Sequence, residues 1–154
     1  GPTCLQAATL PSSLAATSPD EGRLDMSWTA GSQEDSQFIT WNVELYKTTF
    51  AGGQPDPDAE QQIDGVCQGL LDRTVTTCEI SGLSWGMYSF AVQEVSALPA
   101  TSSPLSALSG AAWVARIPAV MPTAVVFGEA TQTSLQVSWT NSPLEDCIFQ
   151  RKVV

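Results

Sequence analysis

The sequence predicts an all-β protein, an antiparallel two-sheet sandwich, on three observations. Several short segments alternate apolar and polar residues with a period of two. Clusters of Gly, Pro, Ser and Asp separate them. No segment holds an apolar 3.6-residue period for three turns. The 154 residues are 43% hydrophobic, enough to fill a core, and their number suits one domain or one domain plus part of a second.

The first strand signal is Leu24, Met26 and Trp28 alternating with Arg23, Asp25 and Ser27. Ile39, Trp41, Val43 and Leu45 repeat the pattern against Thr40, Asn42 and Glu44, and Tyr88, Phe90 and Val92 repeat it against Ser89, Ala91 and Gln93. Side chains two apart share a sheet face, so each segment is expected to bury one face. Ser18-Pro19-Asp20-Glu21-Gly22, Ala30-Gly31-Ser32 and the long stretch from Ala51 to Asp64 read as turns and loops. The expected core comprises Leu24, Met26, Trp28, Trp41, Val43, Leu45, Ile80, Leu83, Tyr88, Phe90 and Val92.

An internal repeat organises the chain. Pro11 recurs as Pro122 and Trp28 as Trp139, each 111 residues on. At the same offset Leu24-Asp25-Met26-Ser27-Trp28-Thr29 faces Leu135-Gln136-Val137-Ser138-Trp139-Thr140, Glu34-Asp35 faces Glu145-Asp146, and Phe38 faces Phe149. The expected organisation is an N-terminal segment over 1–8, one module over 9–117 and the first strands of a second, truncated module over 118–154. Ile117-Pro118 and Met121-Pro122 stiffen the junction. Two strands and the start of a third cannot bury Val126, Leu135, Val137 and Trp139 alone, so the biological object is expected to be larger, the missing strands supplied in cis or in trans or the segment packed onto the first module or a larger assembly.

At these residues the module resembles a fibronectin type III domain, an immunoglobulin-like β-sandwich. The resemblance rests on an opening Pro11, on Leu24-x-Met26-x-Trp28 and on Trp41-x-Val43-x-Leu45. It rests also on Leu83-Ser84-Trp85-Gly86-Met87-Tyr88-Ser89-Phe90-Ala91-Val92, which is similar to the family's tyrosine corner. Trp85 stands where the family has Pro, and Glu94 stands at an inward position where the family places a small apolar residue. A carboxylate there must reach solvent, find a cation such as Arg23 or Arg73, or titrate upward; a strand end with its head in water is expected. Trp85 and Met87 are expected to cover the end of the core, the alternative being an exposed apolar contact for a partner.

Charge and chemistry narrow the function. Sixteen acidic against six basic residues give a net charge of −10, which disfavours nucleic acid and anionic membrane surfaces as partners. No apolar run is long enough to span a bilayer. The absence of histidine removes the commonest general base and metal ligand, and nothing organises Lys47 or Lys152 beside a serine. No enzyme and no cofactor are expected. Asp56, Asp58 and Glu60, with Asp64 beyond, are the best calcium candidates by residue type, but their spacing does not continue into an EF-hand loop. A solvated acidic loop, with no bound metal, is the expectation.

Cys67 and Cys78 are spaced to close a hairpin-sized loop as an extracellular disulfide, the alternative being two buried thiols. Cys4 and Cys147 stay open between pairing with each other, with chain outside these residues, or with nothing. No CxxC, no N-glycosylation sequon and no Arg-Gly-Asp tripeptide occurs, while abundant Ser and Thr fit a secreted, O-glycosylated surface. The N-terminus lacks a Met and a signal segment, as expected of a processed or excised piece. The resemblance implies a non-catalytic extracellular or cell-surface adhesion or scaffold module of a larger tandem-repeat protein, acting through protein partners or neighbouring modules. The alternatives are a structural subunit of a surface filament and an accessory module of a secreted carbohydrate-active enzyme.

Overall fold

A computed structural model describes residues 4–51, 54–116 and 118–143; at positions 50, 51 and 54–59 it is the backbone that is described. The chain divides into two compact units, Gly1–Ala115 and Arg116–Val154.

In the first unit, β1 (Ser12–Thr17), β2 (Leu24–Thr29) and β5 (Thr77–Ile80) form a three-stranded sheet in the order β1-β2-β5. Four further strands, β3 (Phe38–Ala51), β4 (Gln54–Ile63), β6 (Gly86–Ser96) and β7 (Ala112–Val114), form a second sheet in the order β4-β3-β6-β7. Every pairing is antiparallel. The sheets bury their facing sides on each other, as two amphipathic sheets must to remove both apolar faces from water. Trp28 of β2 meets Trp41 of β3 edge-on at 5.7 Å between ring centroids and Phe90 of β6 at 6.3 Å. Leu24, Met26, Trp41, Val43, Leu45, Leu83, Tyr88, Phe90 and Val92 are buried in the same cluster, joined by Ala112 and Val114 of β7. Ile80 is half-buried against it, because β5 is an edge strand.

Three sequence expectations need correction. Ile39 does not share the inward face of β3 but is exposed. The pairing of β3 with β6 shifts between Phe38 and Thr40, and this bulge turns Ile39 outward while Phe38 packs on Trp41 at 5.3 Å. The stretch from Ala51 to Asp64 is not a loop; most of it is β4, paired with β3 from Ala51↔Gln54 to Leu45↔Ile63. Pro55 and Pro57 are tolerated because β4 lies at the sheet edge. The register slips between Lys47↔Gln61 and Thr49↔Asp56, which bends this edge away from regular pairing. Finally, β6 is buried on both faces over Tyr88–Val92, since Ser89 and Ala91 are small and sit opposite the larger Tyr46 and Glu44.

The free side of β6 beyond β7 is closed by the backbone N–H groups and hydroxyls of three serines. After a 3-10 turn at Pro99–Thr101, Ser103, Ser106 and Ser109 face Glu94, Val92 and Phe90 in turn. Each serine N–H donates to the carbonyl of its β6 partner at 2.8–2.9 Å, and each hydroxyl accepts the N–H of that same residue at 2.8–3.0 Å. The hydroxyls then donate to Pro104, Ala107 and Gly110 carbonyls at 2.9 Å. A three-residue period thus matches the two-residue period of β6, with each serine's backbone N–H as donor and its hydroxyl in the acceptor place of a neighbouring strand's carbonyl. Serine richness serves the interior here: Ser36, Ser89, Ser96, Ser103 and Ser106 are all buried.

In the second unit, β8 (Thr123–Ala130) and β9 (Leu135–Thr140) form an antiparallel hairpin. Val125, Val126, Phe127 and Leu135 are exposed in it. Its register reproduces that of β1 with β2 at the 111-residue offset. Ser12↔Thr29, Ala15↔Ser27 and Ala16↔Met26 correspond to Thr123↔Thr140, Val126↔Ser138 and Phe127↔Val137, with the same irregularity after the first pair. Ser13 and Ala124 occupy that irregularity with φ of 51° and 52°, a left-handed conformation uncommon outside glycine.

Candidate interaction surface

The crossover from β4 to β5 supplies the most distinctive surface. Beyond Ile63 the chain leaves β3, and Gly65, Cys67 and Gly69 all take positive φ, 75°, 52° and 75°. Three left-handed residues in five curl the backbone outward. It returns at Leu70, whose carbonyl accepts the Trp41 N–H at 3.2 Å. The curl leaves a groove of about 560 Å³ along β3, lined by Ile39, Asn42, Glu44, Asp64, Leu71 and Val95 among others. Leu71 is 71% exposed and Ile39 45%. Glu44 and Asp64 are the charged residues of the lining, and no lysine or arginine joins them.

Two bonds tie the crossover down. Cys67 and Cys78 form a disulfide, Cα–Cα 5.9 Å, joining the curl to β5. Arg73 reaches inward to Glu94, with Nη2 at 2.9 Å and Nε at 3.0 Å from the same carboxylate oxygen, and its Nη2 also donates to the Gly31 carbonyl at 2.7 Å. Glu94 is therefore not at a wet strand end: it is fully buried, opposite Trp41 in the centre of the sheet. Its side chain is too short to reach water from that depth, so the long arginine comes to it instead.

The remaining cations of this unit are also engaged internally. Arg23 pairs with Asp25 at 2.8 Å, Glu79 at 3.0 Å and Asp20 at 3.7 Å, and these carboxylates, Asp25 first, raise its pKa further. Lys47 donates to Ser84 Oγ at 2.6 Å and lies 5.7 Å from the Tyr88 ring centroid. Tyr88 in turn donates its hydroxyl to the Ser84 carbonyl at 2.8 Å, closing the corner before β6. Trp85 and Met87 beside it are half-buried, Trp85 packing on the exposed Trp113 at 6.1 Å.

On the β3 face the Tyr46 hydroxyl donates to Glu44. That hydrogen bond first, then burial, then the charges of Glu44 and Glu60, push its pKa up to about 12. Of the four calcium candidates, Glu60 and Asp64 are exposed, while the Asp56 and Asp58 side chains lie outside the described residues. Among the described residues no three of Cys, Asp and Glu gather to hold a metal. Cys4 is exposed and free; Cys147 lies outside the described residues, as does everything from Leu144 on.

A three-plus-four antiparallel sandwich with a tyrosine corner is the fibronectin type III fold. One solved structure agrees at a TM-score above one half. The FN1-FN3 domains of chicken CNTN1 align over 86% of this chain with a TM-score of 0.54 and 15% identity, and the chain spans 42% of that structure. A myokine structure aligns at a TM-score of 0.45 and 17% identity, over 67% of this chain and 94% of its own. The FN5 domain of Drosophila Lar aligns at 0.42 and 15%, over 70% and 97%. No family model and no curated protein matches the chain. The likeness is one of fold. No helix among the described residues is long and apolar enough to cross a membrane.

Proposed function

We propose that this chain is part of an extracellular or cell-surface protein built from tandem fibronectin type III modules, and that the first unit is a non-catalytic module that binds other proteins. The observation that carries the tandem reading is the hairpin of the second unit. It repeats the pairing, the irregularity and the left-handed residue of β1 and β2 at a constant 111-residue offset. Leu135, Val137 and Trp139 then stand where Leu24, Met26 and Trp28 are buried in the first unit, so the hairpin opens a second module over 118–154. The disulfide supports an oxidising compartment. Binding through an adhesion or scaffold surface suits a two-sheet sandwich that presents its loops and sheet edges to partners.

An antibody against the first unit tests this in native extract. The expected antigen is much larger than 16.3 kDa, with Cys67 and Cys78 oxidised, and is cleaved by protease added outside intact cells. A protected intracellular antigen of 16.3 kDa with both thiols reduced overturns the proposal.

A further inference from the structure

We infer that the groove between β3 and the crossover is a docking site for an extended, basic segment of a partner protein, one that alternates Lys or Arg with aliphatic side chains. The inference rests on the reading that the first unit binds proteins, and it names the partner's chemistry.

Three observations point to that occupant. The first is charge. Glu44 and Asp64 line the groove without a cation, and the three cations of the unit, Arg23, Lys47 and Arg73, are all held by internal partners. Glu44 accepts hydrogen bonds from the Tyr46 hydroxyl and Asn42 Nδ2, but among the described residues no cation meets it or Asp64, so their charge is left for an external one, within a chain of net charge −10 that attracts basic partners at long range. The second is apolar surface. Ile39 and Leu71, both exposed, offer aliphatic contact beside the carboxylates, so a purely polar cation satisfies half of the site. The third is backbone. The Trp41 N–H points to this edge, where it meets Leu70, and strand alternation aims the Val43 N–H and carbonyl the same way, into the open stretch between Ile63 and Leu70. An extended segment aligns along that edge by main-chain hydrogen bonding, and its alternate side chains then face the groove.

The probe is a fluorescent ten-residue peptide of alternating Lys and Val, titrated into the full chain and followed by anisotropy, with a Glu/Val peptide as counter-probe. The basic peptide is expected to bind and the acidic one not. E44Q/D64N should weaken binding about tenfold at low salt, the sum of two surface charge pairs, one at the half-buried Glu44 and one at the exposed Asp64. L71S should weaken it about fivefold with unchanged thermal stability, since Leu71 is exposed. E21Q/E129Q removes the same charge outside the groove and should leave binding unchanged. Amide NMR shifts should cluster at Ile39, Asn42, Gly65–Gly69 and Leu71. Equal weakening by E44Q/D64N and E21Q/E129Q, shifts elsewhere, or no binding of the basic peptide overturns the groove. None of these results touches the module reading, which stands or falls on the native antigen.

Discussion

Ser106 shows how much a single hydroxyl carries in this fold. It accepts the Val92 N–H at 2.9 Å in the buried edge of β6, where no water replaces it readily. Ser106→Ala should destabilise the chain by about 1–3 kcal/mol in urea unfolding, the desolvation cost of one orphaned donor. Ser106→Thr, which keeps the hydroxyl, should lose less. Glu94 and Arg73 form the opposite kind of pair, charged and unequal in depth. Arg73→Ala strands a buried carboxylate and should cost about 3–5 kcal/mol, whereas Glu94→Gln leaves a half-buried arginine near water and should cost less. Equal losses for the two variants would show that packing, not the buried charge, sets the effect. Tyr46 adds a pH signature. Its pKa is raised from 10.0 to about 12 by Glu44, so the folded state holds the phenol proton more tightly than the unfolded chain. That contribution is whole below pH 10 and disappears as pH rises toward 12. Absorbance titration should place one of the two tyrosines near 12, and Glu44→Gln should bring it back toward 10.

Among the elements, the crossover from β4 to β5 depends most on its ties. Cys67, a non-glycine held left-handed between Gly65 and Gly69, carries intrinsic strain, and the disulfide closes the crossover across an 11-residue separation. Cys67→Ser/Cys78→Ser should lower stability by about 2–4 kcal/mol, read by thermal or denaturant melting. The same change should raise amide exchange at Val66–Val75 more than in the centre of β3 and β6. A uniform rise would mean that the crossover unfolds only with the whole sandwich. The strands themselves differ in how visible they were. β2 and β3 announce themselves because one face of each is buried and their side chains alternate accordingly, and β6 because its large apolar residues alternate with small or polar ones even though both of its faces are buried at the centre. β1, β5 and β7 are short or at edges and carry too few buried positions for alternation to show. β4 was hidden by two prolines and three carboxylates, a composition that suits a loop and an exposed edge equally.

For the whole molecule, two units of unequal self-sufficiency share one chain. The first closes two sheets over a common core; among the described residues the second exposes both strands of a hairpin, and a hairpin by itself is marginal in water. Hydrogen exchange should find slow amides in β3 and β6 and fast ones throughout β8 and β9. Slow exchange in the hairpin of the isolated chain would show that it is covered, contrary to its exposure here. Net charge also acts at this scale. Association with a basic partner should slow as salt rises to about 0.5 M, because the Debye length then falls to a few ångströms.

Alternation and repetition were determined by the sequence alone, because both are local: side chains two apart share a face whatever lies opposite, and a copied segment keeps its pattern. Leu24-Met26-Trp28, Trp41-Val43-Leu45 and Tyr88-Phe90-Val92 therefore identified the buried faces, and Trp28 with Trp139 the repeat. Tertiary structure decided what covers those faces and what answers each buried polar group. That Glu94 meets Arg73 and not solvent, that Ser103, Ser106 and Ser109 stand in for a strand, and that Glu44 and Asp64 share one groove depends on which distant segments come together. No local period encodes such encounters; only the closing of two sheets over one core sets them.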